Sequence, residues 1–302
     1  MDQRTATFQQ HRRRLFGIAY RMLGSPAEAD DVLQDAWLRW NESDTDSLRT
    51  PEAWLVTVTT RLAIDRLRAL RAEREHYTGF WLPEPLVEAA DEDTPHALLE
   101  RADQVSVALL RLLEQLAPHE RAAFVLRQVF DVDYPDLAAM LGKTEAACRQ
   151  LVHRAGERVR AARPAQVVDP LEHQRLLEAF AAAATRGDLA GLRDLMAPDA
   201  QLVSDGGGKV RAFGHLLQGG QRLAQLYYAT FLRLGAGVRY QPVRVNGQPG
   251  LARWIDGELE SVQAFEVQAG RIAAVFVQRN PDKLARVRAH LSQAGGPARL
   301  EQ

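Results

Sequence analysis

Apolar residues recur at helical spacing through the first quarter of the chain and predict three helices. FQQHRRRLFGIAYRMLG forms the first and ends at Gly24, and SPAEADDVLQDAWLRW forms the second. PEAWLVTVTTRLAIDRLRALRAERE forms the third, from Thr50 to about Glu75. The second helix has an acidic polar face and the third ends in arginines. This pattern predicts an all-α first domain with two surfaces of opposite charge.

Residues 76–99 interrupt the helical pattern. WLPEPL has two prolines in three residues, which excludes a helix interior, and the acidic run EAADEDTP follows it. Helices resume within residues 100–163, where DYPDLAAMLGKTEAACRQLVHRA predicts a helix-turn-helix with Gly142 at the turn. Cys148 lies on the buried side of its second helix, and arginines lie on the other side.

A second change of pattern follows residue 163. Two short helices, the glycine-rich stretch SDGGGKVRA and a further helix precede a run in which apolar and polar residues alternate between NG, DG and AG turns. This order predicts an α+β domain with an antiparallel sheet over residues 164–302. The three glycines are expected to form a hairpin turn between strands AQLVS and KVRAF. A phosphate-binding loop is excluded because Val210 stands where Ser or Thr should follow the lysine.

Composition and charge narrow the class of protein. The 302 residues allow two or three domains, and a single cysteine excludes a disulfide framework and a cysteine-built zinc site. No signal peptide or membrane-length apolar run is evident, so a cytoplasmic protein without metal or cofactor is expected. The net charge is −4 over residues 1–163 and +3 over residues 164–302. DNA binding would therefore depend on local basic patches.

Residues 1–163 resemble extracytoplasmic-function (ECF) sigma factors, which consist of sigma regions 2 and 4. ADDVLQDAWLRW resembles the region 2 helix that docks on the β′ clamp helices of core RNA polymerase. PEAWLVTVTTRLAIDRLR resembles the part of region 2 that melts and reads the −10 promoter element. LAPHERAAFVLRQVF with the helix-turn-helix resembles region 4, which reads the −35 element and meets the β flap. The resemblance implies region 2 in residues 1–75, a linker in 76–99 and region 4 in 100–163.

The resemblance also implies roles for individual residues, although core packing is favoured over base contact for each tryptophan and the arginines could belong to a solvated face. The residues expected at core polymerase are Asp30, Asp31, Gln34, Asp35 and Trp37. Those expected at the −10 element are Trp54, Arg61, Arg66, Arg68 and Arg71. Those expected at the −35 element are Thr144, Arg149, Gln150, His153, Arg154 and Arg158.

The last domain resembles the SnoaL-like fold, a cone-shaped α+β barrel that a subgroup of these sigma factors carries as an extension. WLPEPL, DGGGK and NPDKL mark that subgroup, and all three stand in this chain. The resemblance implies that the extension regulates the sigma factor in cis, without a separate anti-sigma factor. The residues expected at this regulatory contact are Trp81, Pro83, Glu84, Pro85, Asp205, Gly206, Gly207, Gly208, Lys209, Asn280, Pro281, Asp282 and Lys283.

Two alternatives remain open at this point. The glycine stretch could be a turn and nothing more, with Asp205 stabilising it. The last domain could instead be catalytic or ligand-sensing, fused to a helix-turn-helix DNA-binding protein. Its acid-base candidates would be Asp205, His215, Tyr227, Tyr228 and Asp256. The sequence favours a non-enzymatic sigma factor that acts with core RNA polymerase on promoter DNA. Whether the pocket of the SnoaL-like domain also binds a small molecule stays undecided.

Overall fold

The computed structural model describes residues 3–44, 50–89, 105–162 and 169–293. The chain divides into two compact units, one formed by residues 1–76 and 109–164, the other by 77–108 and 165–302. The segment after the third helix therefore belongs to the same unit as the C-terminal part of the chain. The acidic residues 91–93, expected in the linker, lie outside the described residues.

The first unit is helical, and the predicted N-terminal helices are confirmed with Gly24 in the left-handed region (φ +69°) directly after the first. The chain returns to this unit at Leu109, which lies within the fourth helix. The helices are α1 (Gln3–Leu23), α2 (Pro26–Glu42), α3 (Pro51–Arg74), α4 (Val107–Leu113), α5 (Pro118–Gln128), α6 (Tyr134–Leu141) and α7 (Glu145–Ala162).

A buried arginine connects three helices of the first unit. Arg121 on α5 is fully buried, and its Nε donates to the backbone carbonyl of Arg21 on α1 at 2.8 Å. Its guanidinium also pairs with Glu114, whose other carboxylate oxygen lies 2.6 Å from Arg74 on α3. One carboxylate thus bridges two arginines. Because breaking a buried ion pair leaves an uncompensated charge, these contacts hold α1, α3 and α5 together specifically.

The predicted helix-turn-helix is confirmed in α6 and α7. Gly142 follows α6 with φ +62°, which a residue with a Cβ adopts at a cost. Thr144 then precedes α7, and its Oγ1 accepts a hydrogen bond from the backbone N–H of Ala147 at 3.2 Å. Cys148 is buried on the inner side of α7, as its spacing predicts.

The second unit is a seven-stranded sheet with helices, which confirms the predicted α+β class. The strand order is β1-β4-β5-β6-β7-β2-β3, antiparallel except for the parallel pair β2 and β7. The strands are β1 (Val87–Ala89), β2 (Met196–Asp205), β3 (Leu217–Gln218), β4 (Val238–Val245), β5 (Gln248–Ile255), β6 (Glu258–Gln268) and β7 (Arg271–Gln278). The helices are α8 (Pro170–Arg186), α9 (Leu189–Leu195), α10 (Gly220–Leu234) and α11 (Pro281–Gln293), with a 3₁₀ turn at Gly235–Gly237.

The predicted strand at KVRAF is wrong. After β2 the chain makes a turn over residues 207–209, and residues 209–213 form no strand. The strand that pairs with β2 is the two-residue β3, where Leu217 lies opposite Leu202. The apolar residues of KVRAF suggested a strand, but Gly207 and Gly208 both have positive φ and direct the chain away from β2.

The two faces of the sheet are covered differently. One face packs against α8, α9 and α10, with Phe180 and Tyr227 among the buried residues. The other face packs against α11 and against residues between α3 and the middle of α4, including Leu82 and Val107. Leu82 is 1% exposed. The WLPEPL segment is therefore part of the hydrophobic core of the second unit.

Candidate functional site

Asp205 stands at the end of β2 and binds the segment that follows α3. Its side chain is 0% exposed. The hydroxyl of Tyr77 donates to Oδ1 at 2.6 Å, and the backbone N–H of Leu82 donates to Oδ2 at 2.9 Å. Lys283 places Nζ 2.7 Å from Oδ2, and the backbone N–H of Gly207 donates to Oδ1 at 3.0 Å. We name these residues the Asp205 cluster. One ammonium group and these three hydrogen-bond donors, with Nε2 of Gln278 as a fourth donor 3.4 Å from Oδ2, compensate the charge of the buried carboxylate.

Lys283 binds the same segment from the NPDKL motif. Its Nζ donates to the backbone carbonyl of Leu82 at 2.7 Å. The ammonium group lies 4.2 Å from the ring centroid of Trp81 and 5.1 Å from that of Tyr77, within the range of cation–π attraction. Asp205 and Lys283 thus contact the N–H and the carbonyl of one residue, Leu82. This arrangement recognises extended backbone as well as two aromatic side chains.

The glycines of DGGGK allow close approach of neighbouring groups. A Cβ on Gly207 would lie 2.4 Å from Nδ2 of Asn280, and a Cβ on Gly208 would lie 3.2 Å from the Cβ of Thr78. Asn280 in turn donates from Nδ2 to the hydroxyl oxygen of Tyr77 at 3.0 Å. Lys209, the last residue of DGGGK, pairs with Asp282 of NPDKL at 2.6 Å on the surface. DGGGK and NPDKL therefore form one site.

Asn246, in the turn after β4, makes a second attachment. Its backbone N–H donates to the carbonyl of Leu86 at 2.7 Å, and its Oδ1 accepts from the N–H of Leu86 at 3.1 Å. Its Nδ2 donates to the carbonyl of Val105 at 3.0 Å. Between the two attachments, Pro83, Glu84 and Pro85 are buried. The segment from Tyr77 to Ala89, which we name the bound linker, is thus held at both ends.

Burial, and then the hydrogen bond to Asp205, raise the pKa of Tyr77 above its usual value. Tyr77 therefore remains a protonated donor. Replacing it with phenylalanine keeps the ring under Lys283 and removes one donor from a buried carboxylate. We expect the free energy of unfolding of the second unit to fall by about 1.5–3 kcal/mol, the range for hydrogen bonds to charged groups. Chemical denaturation of Tyr77→Phe measures it. Tyr228→Phe is the control, since that hydroxyl is not part of the Asp205 cluster; an equal loss would contradict the assignment.

The residues expected at core polymerase lie on α2. Asp31, Gln34 and Asp35 are exposed, whereas Asp30 and Trp37 are half-buried. Asp30 pairs with Arg12 at 3.0 Å, and Trp37 packs edge-on against Phe8. The acidic face is open to a partner except at these two positions.

The residues expected at the −10 element lie on α3 and have protein partners in this conformation. Arg61 donates to the carbonyls of Ala139 and Met140 on α6, at 3.2 and 3.0 Å. Arg71 donates to the carbonyl of Glu114 at 3.0 Å and to that of Leu116, and burial lowers the pKa of Arg71. The remaining three are bound as follows: Arg66 pairs with Glu28 and Glu73, Arg68 pairs with Asp65, and Trp54 packs against Trp40.

Four of the six residues expected at the −35 element line a groove along α7 together with Gln128 and Tyr134, namely Arg149, Gln150, His153 and Arg154, whereas Thr144 and Arg158 lie outside its lining. The guanidinium carbon of Arg149 lies 4.4 Å from the ring centroid of Tyr134, and Arg149 also pairs with Glu145 at 2.8 Å. Two arginines approach the same carboxylate, since Arg154 and Arg158 lie 3.6 and 2.8 Å from Glu120. His153 lies 3.5 Å from Glu157. Gln150 lines the groove, and Thr144 stands directly before α7.

Sequence reasoning missed three members of the linker site. Tyr77 lies outside WLPEPL, and nothing in its spacing marks it as a donor to Asp205. Gln278, whose Nε2 lies 3.3 Å from the carbonyl of Pro83, reads as an ordinary strand residue. Asn246 could have been suspected from its NG turn, but that signal predicts a turn rather than a contact.

The chain matches the family Sigma-70 region 2 over residues 7–73 and the family Sigma-70, region 4 over residues 106–158. The first unit therefore carries the two domains with which bacterial sigma factors act in transcription initiation. Within that class, the chain belongs to the ECF RNA polymerase sigma factors.

The assignment to this class rests on relatives that match almost the whole chain. The ECF RNA polymerase sigma factor SigJ of Mycobacterium tuberculosis is 36% identical over 91% of both chains. The probable ECF RNA polymerase sigma factor SigI of the same species is 30% identical over 96% of this chain and 98% of that one. The crystal structure of SigJ matches 93% of this chain and 98% of its own, with a TM-score of 0.75 and 32% identity. The match includes the C-terminal α+β domain, so the SnoaL-like extension is part of the shared architecture.

Among the helices that the structure describes, none is long and apolar enough to cross a membrane. Within residues 3–44, 50–89, 105–162 and 169–293, no group of three His, Cys, Asp or Glu side chains is placed to hold a metal ion. The chain is a transcription factor of the sigma family and not an enzyme, which follows from its family and from its named relatives.

Proposed function

We propose that the C-terminal extension controls this sigma factor by binding the linker between regions 2 and 4. The observation that carries the proposal is the Asp205 cluster, in which a fully buried carboxylate accepts hydrogen bonds from Tyr77 and Leu82 of the linker. In this proposal region 2 occupies residues 1–75, the linker 76–99, region 4 100–163 and the regulatory extension 164–302. The regulation takes place within one chain and needs no separate anti-sigma factor.

The bound linker limits where regions 2 and 4 can move. A sigma factor must place region 2 at the −10 element and region 4 at the −35 element while both stay on core polymerase. A linker whose Leu82 is a core residue of another unit cannot extend for that purpose. Release of the linker is therefore the regulated step, and the bound form is the less active one.

The first unit supports the same interpretation. Arg61 and Arg71 on α3, proposed for the −10 element, donate to backbone carbonyls of residues that belong to region 4 in this proposal. These guanidinium groups must exchange protein carbonyls for phosphates before they bind DNA. We propose that region 4 separates from α3 when the holoenzyme binds a promoter.

The proposed surfaces on the partners follow the chemistry of each face. The acidic face of α2, with Asp31, Gln34 and Asp35 exposed, suits the basic β′ clamp helices. The groove along α7, with Arg149, Gln150 and Arg154, suits base edges and phosphates of the −35 element, and region 4 also meets the β flap. Core RNA polymerase places this activity in the cytoplasm.

Catalysis by the extension has little support. Asp205 is saturated by donors, His215 is exposed, and Asp256 is an exposed turn residue with φ +50°. Binding of a small molecule in the extension is compatible with the sigma function and is developed in the next subsection.

Transcription with purified components tests the proposed function. Core RNA polymerase plus the full chain should select promoters from a genomic library and give discrete transcripts, whereas core polymerase alone should not. Failure to produce a promoter-specific transcript on any selected fragment would contradict the function.

Arg149→Ala tests the −35 interface. An arginine that contacts a base contributes about 1–3 kcal/mol, so binding of the holoenzyme should weaken by that amount and discrimination at one position of the −35 element should relax. Footprinting on promoter variants at fixed salt measures both effects. Arg186→Ala is the control, because Arg186 is exposed at the end of α8, outside the groove and outside the faces proposed for polymerase and DNA. A uniform loss across all promoter variants would show that Arg149 contacts phosphate only.

A further inference from the structure

The second unit contains a cavity of about 210 Å³ between the sheet and α10. Its volume is below the roughly 300–1,000 Å³ of sites for drug-sized ligands, so an occupant must be small. Four residues of α10 at helical spacing form one wall, namely Leu226, Tyr227, Thr230 and Leu234. Strands β2 and β7 contribute Leu202, Ser204 and Val277 to the opposite side.

Positive charge exceeds negative charge in this cavity. Among the described residues that line it are three arginines, Arg233, Arg253 and Arg279, and one carboxylate, that of Glu260. The side chains of Arg253 and Glu260 are 12% and 14% exposed, so their charges lie in a medium of low effective dielectric constant. A cavity with such a charge balance attracts an anion.

Both oxygens of the Glu260 carboxylate already pair with arginines. Oε2 of Glu260 accepts from Nε and Nη2 of Arg253 at 2.8 and 2.6 Å, and Oε1 pairs with Nη2 of Arg279. Burial alone would raise the pKa of Glu260, but the charges of Arg253 and Arg279 outweigh it and hold that pKa below its usual value. Glu260 therefore neutralises one of the two inner arginines and leaves the other charge uncompensated. Nη1 of Arg279 donates to the backbone carbonyl of Arg211, whereas its buried Nε has no hydrogen-bond acceptor among the residues that the structure describes.

The rest of the lining is mostly apolar. Phe213, Leu226, Ile255 and Val277 supply carbon surface, and Ser204 and Thr230 supply hydroxyls. An inorganic anion would leave this apolar surface without a partner, whereas a neutral hydrocarbon would leave the excess charge uncompensated. The lining suits a molecule with both features.

We propose that this cavity binds a small organic carboxylate, with its carboxylate among the three arginines and its hydrocarbon body against α10. An arginine fork binds a carboxylate with two parallel hydrogen bonds, which gives the site its orientation. Such a ligand is an effector of the sigma factor, and it undergoes no reaction here.

The cavity and the linker site share two strands. Successive side chains of a strand point to opposite faces, so Ser204 and Val277 face the cavity while their neighbours Asp205 and Gln278 face the bound linker. The backbone N–H of Arg279 also donates to the carbonyl of Asp205 at 2.8 Å. Occupancy of the cavity is thereby coupled to the Asp205 cluster. This coupling rests on the proposed regulatory function, whereas binding itself does not.

Titration of the full chain with three probes tests the inference. Benzoate should bind, and it should bind at least tenfold more tightly than benzamide, which has the same shape without the charge, and than inorganic phosphate, which has charge without a hydrocarbon body. NMR shift titration of the backbone amides of β7 and α10 measures all three. Equal binding of benzoate and benzamide, equal binding of benzoate and phosphate, or no binding of benzoate would each overturn the assignment.

Variants locate the binding and separate the two proposals. Thr230→Trp fills the cavity from α10 and should abolish benzoate binding, and Arg233→Gln should weaken it at least threefold. Arg222→Gln on the same helix lies outside the lining and should leave it unchanged. Circular dichroism confirms that each variant is folded. Loss of binding in Arg222→Gln, or full binding in Thr230→Trp, would overturn the site. If benzoate binds as expected but the backbone amides of the linker do not shift, the binding site is supported and its coupling to the linker is contradicted.

Discussion

Asp205→Ala is expected to release the bound linker and to raise promoter-specific transcription. The substitution removes the partner of Lys283, whose side chain is only 13% exposed, and leaves the hydroxyl of Tyr77 and the N–H of Leu82 without their acceptor. Breaking a buried ion pair costs about 3–5 kcal/mol. At about 1.36 kcal/mol per tenfold change, the population of released linker rises roughly 100-fold or more.

Chymotrypsin measures this release, because Tyr77, Phe80 and Trp81 are its preferred type of cleavage site and lie in the bound linker. Cleavage there should accelerate in Asp205→Ala and stay slow in Asp199→Ala. Asp199 lies on the same strand but is exposed, so it is a matched control. Transcription from a selected promoter should rise in the first variant and not in the second. Equal cleavage rates in both would contradict the role given to Asp205.

Glu260→Gln is expected to destabilise the second unit strongly at neutral pH. The substitution leaves Arg253 and Arg279 in the cavity without their shared carboxylate, at a cost of about 3–5 kcal/mol. The loss should depend on pH. Because the pKa of Glu260 is lower in the folded state than in the unfolded chain, its contribution is fully present above the unfolded pKa of about 4.3. It disappears as the pH falls from there through the folded pKa.

Chemical denaturation of wild type and Glu260→Gln between pH 7 and pH 3 measures this dependence. The difference between the two proteins should be constant from pH 7 to about pH 5 and shrink below it. Glu258→Gln is the control, since Glu258 is exposed at the start of the same strand. A difference that stays constant down to pH 3 would show that Glu260 contributes through packing rather than charge.

The helical part of the fold could be predicted from the sequence because its signals are local. Apolar spacing defines α1, α2 and α3, and Gly142 with Thr144 defines the turn of the helix-turn-helix. The strand predicted at KVRAF failed because its apolar residues are also compatible with an irregular segment after two glycines with positive φ. The local pattern of apolar and polar residues does not distinguish a short strand from such an irregular segment.

The linker site could be predicted only in part. The motifs WLPEPL, DGGGK and NPDKL pointed to the correct stretches, but their pairing depends on contacts across more than 120 residues of chain, such as Tyr77 with Asp205. Periodicity and turn signals carry no information on such distances. The arginines of α3 show a different limit of sequence reasoning. Their residue type predicts contacts with DNA, but in this conformation Arg61 and Arg71 donate hydrogen bonds to backbone carbonyls of the protein.

A reversible crosslink between linker and extension tests the central claim most directly. A Cβ on Gly208 would lie 3.2 Å from the Cβ of Thr78, close to the separation of about 3.5–4.5 Å in disulfides. The native Cys148 is buried and can be replaced by alanine. Thr78→Cys with Gly208→Cys should then form a disulfide that keeps the linker bound. Because Gly208 has φ +71°, a cysteine there has a backbone cost of its own, so the Gly208→Cys single variant is the control for that cost and the Thr78→Cys single variant is the control for the other position.

Promoter-specific transcription by the crosslinked protein with core RNA polymerase is the decisive measurement. The account predicts that transcription is lost in the oxidised double variant, returns on reduction, and is unaffected by oxidation in the single variants. Equal transcription from the oxidised and reduced double variant would show that the linker can stay bound during initiation, and would contradict regulation by linker release.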